Sequence, residues 1–228
     1  MVQPARQPAP DSTPPRDATV LSVIQSLQQD IVFGRLKPRE RLVEEDMSAR
    51  FKVGRHVIRA VLEELDRAGL VVRRPNRGAV VRDYTPAEMD QLYDVRRLLH
   101  REAAMRMELP GSPALVAELR GINDDYRRSC NDGDLYRAAG LNEQFHQTMN
   151  AACGNVFLAE MIQQFWLKTA SVHSRSYATG NMQRILETID EHDKMIEVIA
   201  SGTNERLATL YIEHMRPALA TYKVNHYR

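Results

Sequence analysis

The sequence predicts a mostly α-helical protein, with three helices and a β-hairpin in its first third and an antiparallel bundle of six helices in the rest. Three observations predict this fold. Apolar residues recur at intervals of three and four over most of the chain. Runs of β-branched residues interrupt that period once, at residues 70–82. Beyond residue 83, short segments with Gly, Asn or Pro divide the helical pattern into lengths typical of bundle helices.

The first helix of the predicted fold follows a short tail. Residues 1–16 are rich in Pro, Gln and Ala, and this composition predicts a disordered segment. An apolar stripe then runs at helical spacing from Val20 through Leu27 to Ile31. The first helix is expected to end at Gly34, because glycine is a frequent helix terminator.

Two further helices, separated by a tight turn, are expected before residue 70. A linker at residues 35–41 leads to the second helix, which is predicted near residues 44–51. Residues 52–54 supply the turn. The third helix is expected to run to Ala68 and to be closed by Gly69.

The helical period gives way to a β-hairpin after the third helix. Residues 70–74 and 79–82 are rich in Val and Arg, and residues 75–78 (Pro-Asn-Arg-Gly) join them as a tight turn. This order of helices, turn and hairpin is that of a winged helix-turn-helix. The sequence therefore predicts this fold over residues 17–82.

A second region, residues 87–228, is predicted to be a helical bundle and is joined to the first by a link at residues 83–86. Thr85 and Glu88 form a capping box, with Pro86 at the first helical position. From there the chain is expected to be helical to its end. Breaks that yield six helices fall at residues 110–113, 131–133, 154–155, 179–181 and 201–202.

Composition excludes several classes of protein. The chain has 228 residues, of which 43% are hydrophobic and 27% are charged, as in a globular protein. No apolar run is long enough to span a bilayer, and the tail lacks the apolar segment of a signal peptide. The two cysteines, Cys130 and Cys153, have no metal-binding or redox spacing. We therefore expect a reduced, cytoplasmic protein without a membrane partner.

Charge is distributed unevenly along the chain. Residues 17–82 carry 13 Lys and Arg against 9 Asp and Glu, whereas residues 83–228 carry 16 against 20. A basic module attracts a polyanion through counterion release, and an acidic one is repelled. The split is consistent with a DNA-binding N-terminal module, although a mixed solvated surface also produces an excess of this size.

The third predicted helix has one apolar face and one basic face. Val57 and Val61 lie on the first face, and Arg55 and Arg59 lie together on the second. A helix that buries one stripe and presents two guanidinium groups suits the DNA major groove, where Arg reads base edges. Arg77, at the tip of the hairpin, is placed to reach a phosphate or the minor groove.

Three histidines lie within apolar stripes of the predicted bundle. His146, His192 and His214 each have apolar neighbours three or four residues away, so each imidazole is expected to point inward. Asn142 lies one helical turn before His146, on the same face. Three inward imidazoles can converge on one divalent cation, with Asn142 adding an oxygen. The alternative is that each is a hydrogen-bonded core histidine.

Further polar residues suit a ligand pocket in the bundle. Arg96 shares a stripe with apolar residues on the first bundle helix, and His100 follows one turn later. A partly buried Arg without an acidic residue four positions away can receive a carboxylate through two hydrogen bonds. The alternative is an ordinary ion pair. His173 also lies on an apolar stripe and is interpreted as a pocket or core residue.

The N-terminal motifs resemble those of the GntR-type bacterial transcription regulators. Residues 53–62 (Val-Gly-Arg-His-Val-Ile-Arg-Ala-Val-Leu) are similar to the family's segment VSRTPVREAL and agree with it at Val53, Arg55, Arg59 and Leu62. Three further elements are similar to the family's L-x-E, GLV and wing RG motifs, namely residues 42–45, 69–71 and 77–78.

The region after the hairpin resembles the FCD effector domain of the FadR-type subgroup of that family. Residues 142–146 (Asn-Glu-Gln-Phe-His) are similar to the domain's D-x-x-F-H motif, and His192 and His214 fall at its other two ligand positions. Residues 93–96 resemble its opening helix. The resemblance covers nearly all of the chain after residue 17.

The sequence departs from the family pattern at several positions. The usual Ser-Arg-Thr-Pro is Gly-Arg-His-Val at residues 54–57, so His56 replaces a hydroxyl residue near the helix start. Arg39 stands where a glycine is usual. Asn142 replaces a metal-binding Asp, and a neutral amide lowers the negative charge of the site. His100 takes a position often held by Glu.

The resemblance implies a homodimeric regulator, usually a repressor, that binds a pseudo-palindromic DNA operator in the bacterial cytoplasm, at the nucleoid. It also implies a small carboxylate effector and one divalent metal of the Zn, Ni or Mn type per chain. DNA contacts are expected for Arg39, Arg55, His56, Arg59, Arg77 and Gly78. Metal ligands are expected to be Asn142, His146, His192 and His214, and effector contacts Arg96, His100 and His173.

Two other functions compete with a ligand-controlled regulator. One is a constitutive DNA-binding regulator whose bundle is structural and holds no metal. The other is a metal-dependent enzyme, because three-histidine centres also occur in hydrolases and oxygenases. An enzyme needs an inward Asp or Glu as general base. Glu143 and Glu191 are expected to point away from the ligand face, which disfavours an enzyme.

Overall fold

A computed structural model of the chain describes residues 16–74, 78–169 and 181–226. Its N-terminal part is a winged helix-turn-helix, which confirms that prediction. The elements lie in the order α1 (Arg16–Val32), β1 (Arg41–Leu42), α2 (Glu44–Phe51), α3 (Arg55–Arg67), β2 (Val71–Arg73) and β3 (Ala79–Val81). Helix α1 begins at the last residue of the predicted tail, and the rest of that tail lies outside the described residues.

The C-terminal part is a helical bundle, so the mostly α-helical fold class is confirmed. The bundle helices that the structure describes are α4 (Pro86–Arg106), α5 (Pro113–Asn131), α6 (Leu135–Ala151), α7 (Val156–Lys168), α8 (Met182–Ser201) and α9 (Asn204–His226). Helix α5 packs against both α6 and α8, and α9 packs along α4. Among the described helices, none combines the length and the apolar character needed to cross a bilayer.

Side-chain caps explain where the bundle helices begin. A helix leaves its first backbone N–H groups without partners, and a side-chain oxygen just before the first turn accepts from one of them. Thr85 caps α4 in a capping box with Glu88, as the sequence predicts. The next four helices also start at a capping side chain, from Ser112, Asp134, Asn155 and Asn181.

The wing contains one more strand than the sequence predicts. The three strands form an antiparallel sheet in the order β1-β3-β2, in which Arg41 pairs with Val80 and Leu42 with Ala79. Gly78 precedes β3 with a φ of +75°, and a Cβ at this position would lie 2.2 Å from the carbonyl oxygen of Leu42. Residue 78 is therefore glycine because strand β1 leaves no room for a side chain.

Helix α3 is held by its apolar face. Val57, Ile58, Val61, Leu62 and Leu65 are buried, and they join the strands and α1 in a single N-terminal core. Burial of these side chains fixes the rotation of the helix, so the opposite face with its arginines is presented to solvent. The two-faced pattern predicted from the sequence is confirmed.

The winged helix and the bundle meet at Gly69, which ends α3 with a φ of +75°. The Tyr84 hydroxyl donates to the Gly69 carbonyl oxygen at 2.9 Å. Tyr222, on α9, in turn donates to the carbonyl oxygen of Tyr84. Leu167, near the end of α7, packs against the N-terminal core. The end of the third helix is thus in contact with the linker and with the bundle.

Candidate DNA-reading surface and metal centre

The two arginines of α3 lie exposed at its N-terminal end. The Arg55 side chain is 59% exposed and the Arg59 side chain is 62% exposed. Each pairs with an acid of α2, with Arg55 Nη2 at 3.2 Å from Glu45 Oε1 and Arg59 Nε at 2.8 Å from Glu44 Oε2. Ion pairs at such a surface contribute little free energy, so DNA phosphates and bases can compete for both guanidinium groups.

His56 and Gly54 are packed together at the start of α3. Gly54 is the N-cap residue and contributes no side-chain hydrogen bond. A Cβ at position 54 would lie 2.8 Å from Nδ1 and Cε1 of His56, so the imidazole occupies the space above the glycine. The two residues that depart from the family motif here therefore depend on each other.

Arg39 lies beside the wing and takes a backbone conformation that favours glycine. Its φ is +68°, in the left-handed region, where the glycine that the family resemblance leads us to expect at this position would be favoured. The side chain is 77% exposed, and Nε donates to Asp83 Oδ2 at 2.6 Å. Of the predicted wing contacts, Gly78 is described and Arg77 lies outside the described residues.

The three histidines of the bundle come together between α6, α8 and α9. One ring nitrogen from each of His146, His192 and His214 lies within 4.8 Å of the others. The Nε2 atoms of His146 and His214 are 3.2 Å apart. Two nitrogens bound to one tetrahedral Zn²⁺ at about 2.0–2.1 Å would be separated by about 3.3 Å. The spacing therefore matches a pair of ligands on one cation.

Asn123 fixes the tautomer of His192. The Asn123 amide nitrogen donates to Asp193 Oδ1 at 2.7 Å and to the Ile189 carbonyl oxygen at 3.2 Å. Its oxygen consequently faces His192 Nδ1, at 3.1 Å, and Nδ1 must be the protonated nitrogen. The lone pair of His192 is left on Nε2, on the side of the cluster.

The other two histidines are oriented in the same way. His214 Nδ1 donates to Glu191 Oε2 at 2.5 Å, and both oxygens of Glu191 accept from Arg184 at 2.8 Å. His146 Nδ1 lies 3.3 Å from the hydroxyl of Tyr211. Hydrogen bonds on Nδ1 leave Nε2 as the ligand atom of all three rings, which is the arrangement found in histidine metal sites.

Burial keeps His192 and His214 in the neutral form that binds metals. Desolvation lowers the pKa of His192 well below its ordinary value, and it lowers the pKa of His214 despite the opposing hydrogen bond that His214 donates to Glu191. Burial alone would raise the pKa of Glu191, but its hydrogen bonds with His214 and Arg184 outweigh burial and hold it at about 2. The carboxylate is therefore ionised and polarises His214.

Two buried atoms support a fit to a cation. His192 Nε2 and Asn142 Oδ1 are buried, and neither has a hydrogen-bond partner among the residues that the structure describes. Both are electron-pair donors, and an unpaired buried polar atom is unfavourable. Asn142 and His146 share the lining of one cavity between the helices. Three imidazole nitrogens and an amide oxygen suit a borderline divalent ion of the Zn, Ni or Mn type.

Arg96 lies beside the histidines and lines the same cavity, whose volume is about 40 Å³. The residue is 2% exposed, and its Nη1 donates to Thr169 Oγ1 at 2.9 Å. Its guanidinium also lies 4.9 Å from the ring centre of Tyr93 and 5.4 Å from that of Trp166. A buried cation among aromatic rings, next to a metal-binding cluster, is suited to an anionic ligand.

His100 stands behind Arg96 and is absent from the lining of that cavity. Its Nε2 lies 3.4 Å from Arg96 Nη2, and its ring stacks on Tyr211 with centres 4.3 Å apart. Burial, and then the charge of Arg96, lower the pKa of His100, so a neutral ring accepts from the guanidinium. His100 thus orients Arg96. His173 lies outside the described residues.

Several residues of the site escaped sequence analysis. Glu191 was expected to point away from the ligand face, and it is absent from the cavity lining, but its contact with Nδ1 of His214 on α9 was not predicted. Arg184 lines the cavity, and Thr169 contacts Arg96. Asn123 carried a usable signal, as a polar residue within the apolar stripe of α5. The others depend on contacts between helices that no local pattern records.

Comparisons with known proteins match both parts of the chain. Residues 19–81 match the family model described as bacterial regulatory proteins, gntR family, and residues 91–217 match the FCD domain. The HTH-type transcriptional regulator McbR of Escherichia coli K12 is 20% identical over 200 residues, which cover 88% of this chain and 90% of McbR. The gluconate operon transcriptional repressor of Bacillus subtilis 168 is 24% identical over 180 residues, covering 79% and 72%.

Solved structures share the architecture of both parts. E. coli McbR/YncC superposes with a TM-score of 0.82 at 20% identity, covering 92% of this chain and 99% of that one. A putative transcriptional regulator GntR from Rhodococcus sp. RHA1 gives 0.75 at 22% identity, covering 92% and 100%. At these identities the likeness establishes the fold. McbR, the gluconate operon repressor and the Rhodococcus protein are each described as a transcriptional regulator or repressor.

Proposed function

The chain belongs to the gntR family of bacterial regulatory proteins and carries an FCD domain, and from this premise we propose that it is a repressor controlled by a small carboxylate. As a member of that family it is a DNA-binding transcriptional regulator, and not an enzyme. The carboxylate would bind inside the bundle, beside a divalent metal, and would change the affinity of the winged helix-turn-helix for its operator.

One observation carries the effector part of the proposal: three of the four proposed metal ligands, Asn142, His146 and His214, line one cavity together with the buried Arg96. His146, His192 and His214 would hold the metal through Nε2, with Asn142 as a fourth ligand through Oδ1. A bound divalent cation supplies a Lewis acid that accepts a carboxylate oxygen. Arg96 would bind the same ligand through its guanidinium.

The dimensions of the cavity favour a small ligand. A volume of about 40 Å³ exceeds the roughly 10–15 Å³ that one water molecule requires by only a few times. Thr169 and His100 hold the Arg96 guanidinium at the cavity before the ligand arrives. A buried cationic anchor in a small cavity supports selection for short-chain carboxylates over bulky ones.

The DNA-binding part of the proposal rests on α3 and the wing. Arg55 and Arg59 would contact base edges or phosphates, with His56 beside them at the helix start. Arg39 and Arg77 would also contact the DNA, at the backbone or in the minor groove. Repression as the direction of control is supported by the similarity to gluconate operon repressors.

Binding to a pseudo-palindromic operator requires two copies of the chain. An apolar face on neighbouring helices supports a homodimer and consists of Val95 and Leu98 on α4 with Phe157 and Met161 on α7. Leu98 is 70% exposed and Phe157 is 78% exposed. Large apolar groups so exposed are typical of an interface. We assign this apolar face to contact with a second copy.

Metal analysis and a thermal-shift screen test the effector part together. Protein purified without a histidine tag should contain about one divalent ion per chain. Acetate, malonate, succinate and citrate serve as probes, and at least one should raise the melting temperature. His146→Ala should lose both the ion and the shift, whereas Arg96→Gln should keep the ion and lose the shift. His56→Ala, an exposed histidine outside the cavity, is the control and should retain both.

The opposite result would favour the constitutive regulator with a structural bundle. In that case His146 and His214 share a proton across their 3.2 Å contact, and no cation is needed. Protein without bound metal, with no carboxylate response and with operator binding intact, would establish that alternative.

A further inference from the structure

The last turn of α7 is shared between the effector cavity and the winged helix. Trp166 lines the cavity, and its ring centre is 5.4 Å from the Arg96 guanidinium. Thr169, three residues later, accepts a hydrogen bond from Arg96. Leu167, between them, packs against the core of the N-terminal domain. Consecutive residues of one helical turn therefore contact two domains.

The Thr169 hydroxyl forms hydrogen bonds both with Arg96 and with the backbone of the last turn of α7. Thr169 is fully buried, and its Oγ1 lies 2.9 Å from Arg96 Nη1. The same oxygen lies 3.1 Å from the carbonyl oxygens of Phe165 and Trp166. A hydroxyl has one proton, so it donates to a carbonyl while it accepts from the guanidinium. A displacement of Arg96 thus removes one of the hydrogen bonds that fix the hydroxyl at the end of α7.

Lys168, the next residue after Leu167, contacts the C-terminal end of α3. A Cβ at position 69 would lie 3.3 Å from Lys168 Cε and 2.8 Å from the Tyr84 hydroxyl, so Gly69 is enclosed between these two side chains. Gly69 directly follows the last turn of α3. A displacement of the last turn of α7 therefore reaches Gly69 through a direct side-chain contact, and the Tyr84 hydroxyl holds the Gly69 carbonyl oxygen from the other side.

We propose that Thr169 is a positioning residue that couples the state of Arg96 to the C-terminal end of α3. When the guanidinium turns toward an anion in the cavity, the hydroxyl loses its donor. The last turn of α7 then packs less tightly against Gly69. As a result, the position of the DNA-reading helix α3 relative to the bundle changes. The regulatory meaning of this coupling rests on the proposed function, whereas the mechanical link does not require a ligand.

Hydrogen exchange on the full-length protein, without added carboxylate, tests the link. Thr169→Val removes the hydroxyl at nearly constant volume, and Thr169→Ser restores it. Thr188→Val is the matched control, since Thr188 lines the same cavity and donates to the Arg184 carbonyl oxygen of its own helix. Thr169→Val should speed exchange at amides 67–71 severalfold, with Thr169→Ser and Thr188→Val close to wild type.

The pattern of exchange separates coupling from general loosening. No change at amides 67–71 in Thr169→Val, or an equal change in Thr188→Val, would overturn the proposal. Faster exchange in the core of α5 as well would mean that Thr169→Val loosens the bundle in general. Arg96→Lys then separates the two explanations, because it leaves Thr169 in place and should still speed exchange at amides 67–71. A failed carboxylate screen would defeat the proposed effector without altering this pattern, so the two proposals fail separately.

Discussion

The Nε2 atoms of His146 and His214 face each other across 3.2 Å in the interior of the bundle. With Nδ1 protonated on both rings, these two atoms are both acceptors and repel each other. A cation placed between them removes the repulsion, and so does an added proton. Whether the histidine cluster holds a cation, an added proton or neither is therefore the first property to measure.

Glu191→Gln should weaken metal binding by about 10–100-fold, because a neutral amide no longer polarises His214 through Nδ1. Isothermal titration with Zn²⁺ or Ni²⁺ measures the change. Glu187→Gln is the control, since Glu187 also contacts Arg184 but not His214. Equal effects of the two substitutions would show that Arg184, and not His214, is the residue that matters.

The metal-free protein should lose stability as the pH falls below 6.5, the ordinary pKa of histidine. The pKa of His192 is lowered in the folded chain but not in the unfolded chain. Below pH 6.5 the unfolded chain therefore binds a proton at this residue, whereas the folded chain does not. The free energy of unfolding then falls by about 1.4 kcal/mol per pH unit for each such imidazole. Urea denaturation at several pH values measures the slope.

A variant and a second titration range check that assignment. His192→Gln should flatten the slope just below pH 6.5, and an unchanged slope would refute the role given to this ring. A further decline is expected between pH 4.5 and about 2, because Glu191 has its pKa lowered over that range and its ion pairs are lost as it becomes protonated.

Gly78→Ala should destabilise the winged helix by about 1–3 kcal/mol or more, because the new Cβ would meet the Leu42 carbonyl oxygen and the residue has a positive φ. Chemical denaturation measures the loss. Gly140→Ala is a matched control within helix α6, where a Cβ meets nothing within 4 Å. It should stabilise the protein by about 0.5–1 kcal/mol. A neutral Gly78→Ala would argue against the close approach of β1.

Arg55→Ala and Arg59→Ala should each weaken specific operator binding by about 1–3 kcal/mol, the range for a side chain that reads a base. Fluorescence anisotropy on an operator selected from random DNA measures the dissociation constants. Arg67→Ala is the control, because Arg67 lies in the last turn of the same helix and pairs with Glu63 and Glu64. Retention of specific binding in the first two variants would reject α3 as the reading helix.

Phe157→Glu should shift the protein toward monomers, because it places a charge in the apolar face proposed for the dimer. Sedimentation velocity measures the oligomeric state. Leu186→Glu serves for comparison, since Leu186 is 47% exposed on α8, outside the apolar face. A dimer that survives Phe157→Glu but dissociates with Leu186→Glu would place the interface on α8 instead.

Local patterns account for most of the fold and for the main components of the site. Helical spacing alone indicated that His146, His192 and His214 point inward, because the period of a helix fixes which residues share a face. The same argument identified the two faces of α3. Capping residues such as Thr85 marked the helix starts, since a cap is a contact between near neighbours in sequence.

Contacts between distant segments account for what the sequence did not show. Strand β1 has two residues, Arg41 and Leu42, which is too short for an alternating pattern and is specified by its pairing with β3. The support that Glu191 gives to His214 was missed because it depends on contacts with Arg184 and with the next helix. The role of Thr169 follows from a contact with Arg96 across 73 positions of the chain.

The packing of His56 over Gly54 couples these two positions of the DNA-reading helix. A serine at position 54, as in the family motif, would place its Cβ 2.8 Å from the imidazole. Such a change therefore requires the exposed His56 ring to take another rotamer, and this rotation would alter the surface that the start of the helix presents to DNA. Reciprocal single and double substitutions at these positions would be expected to show epistasis rather than additive effects.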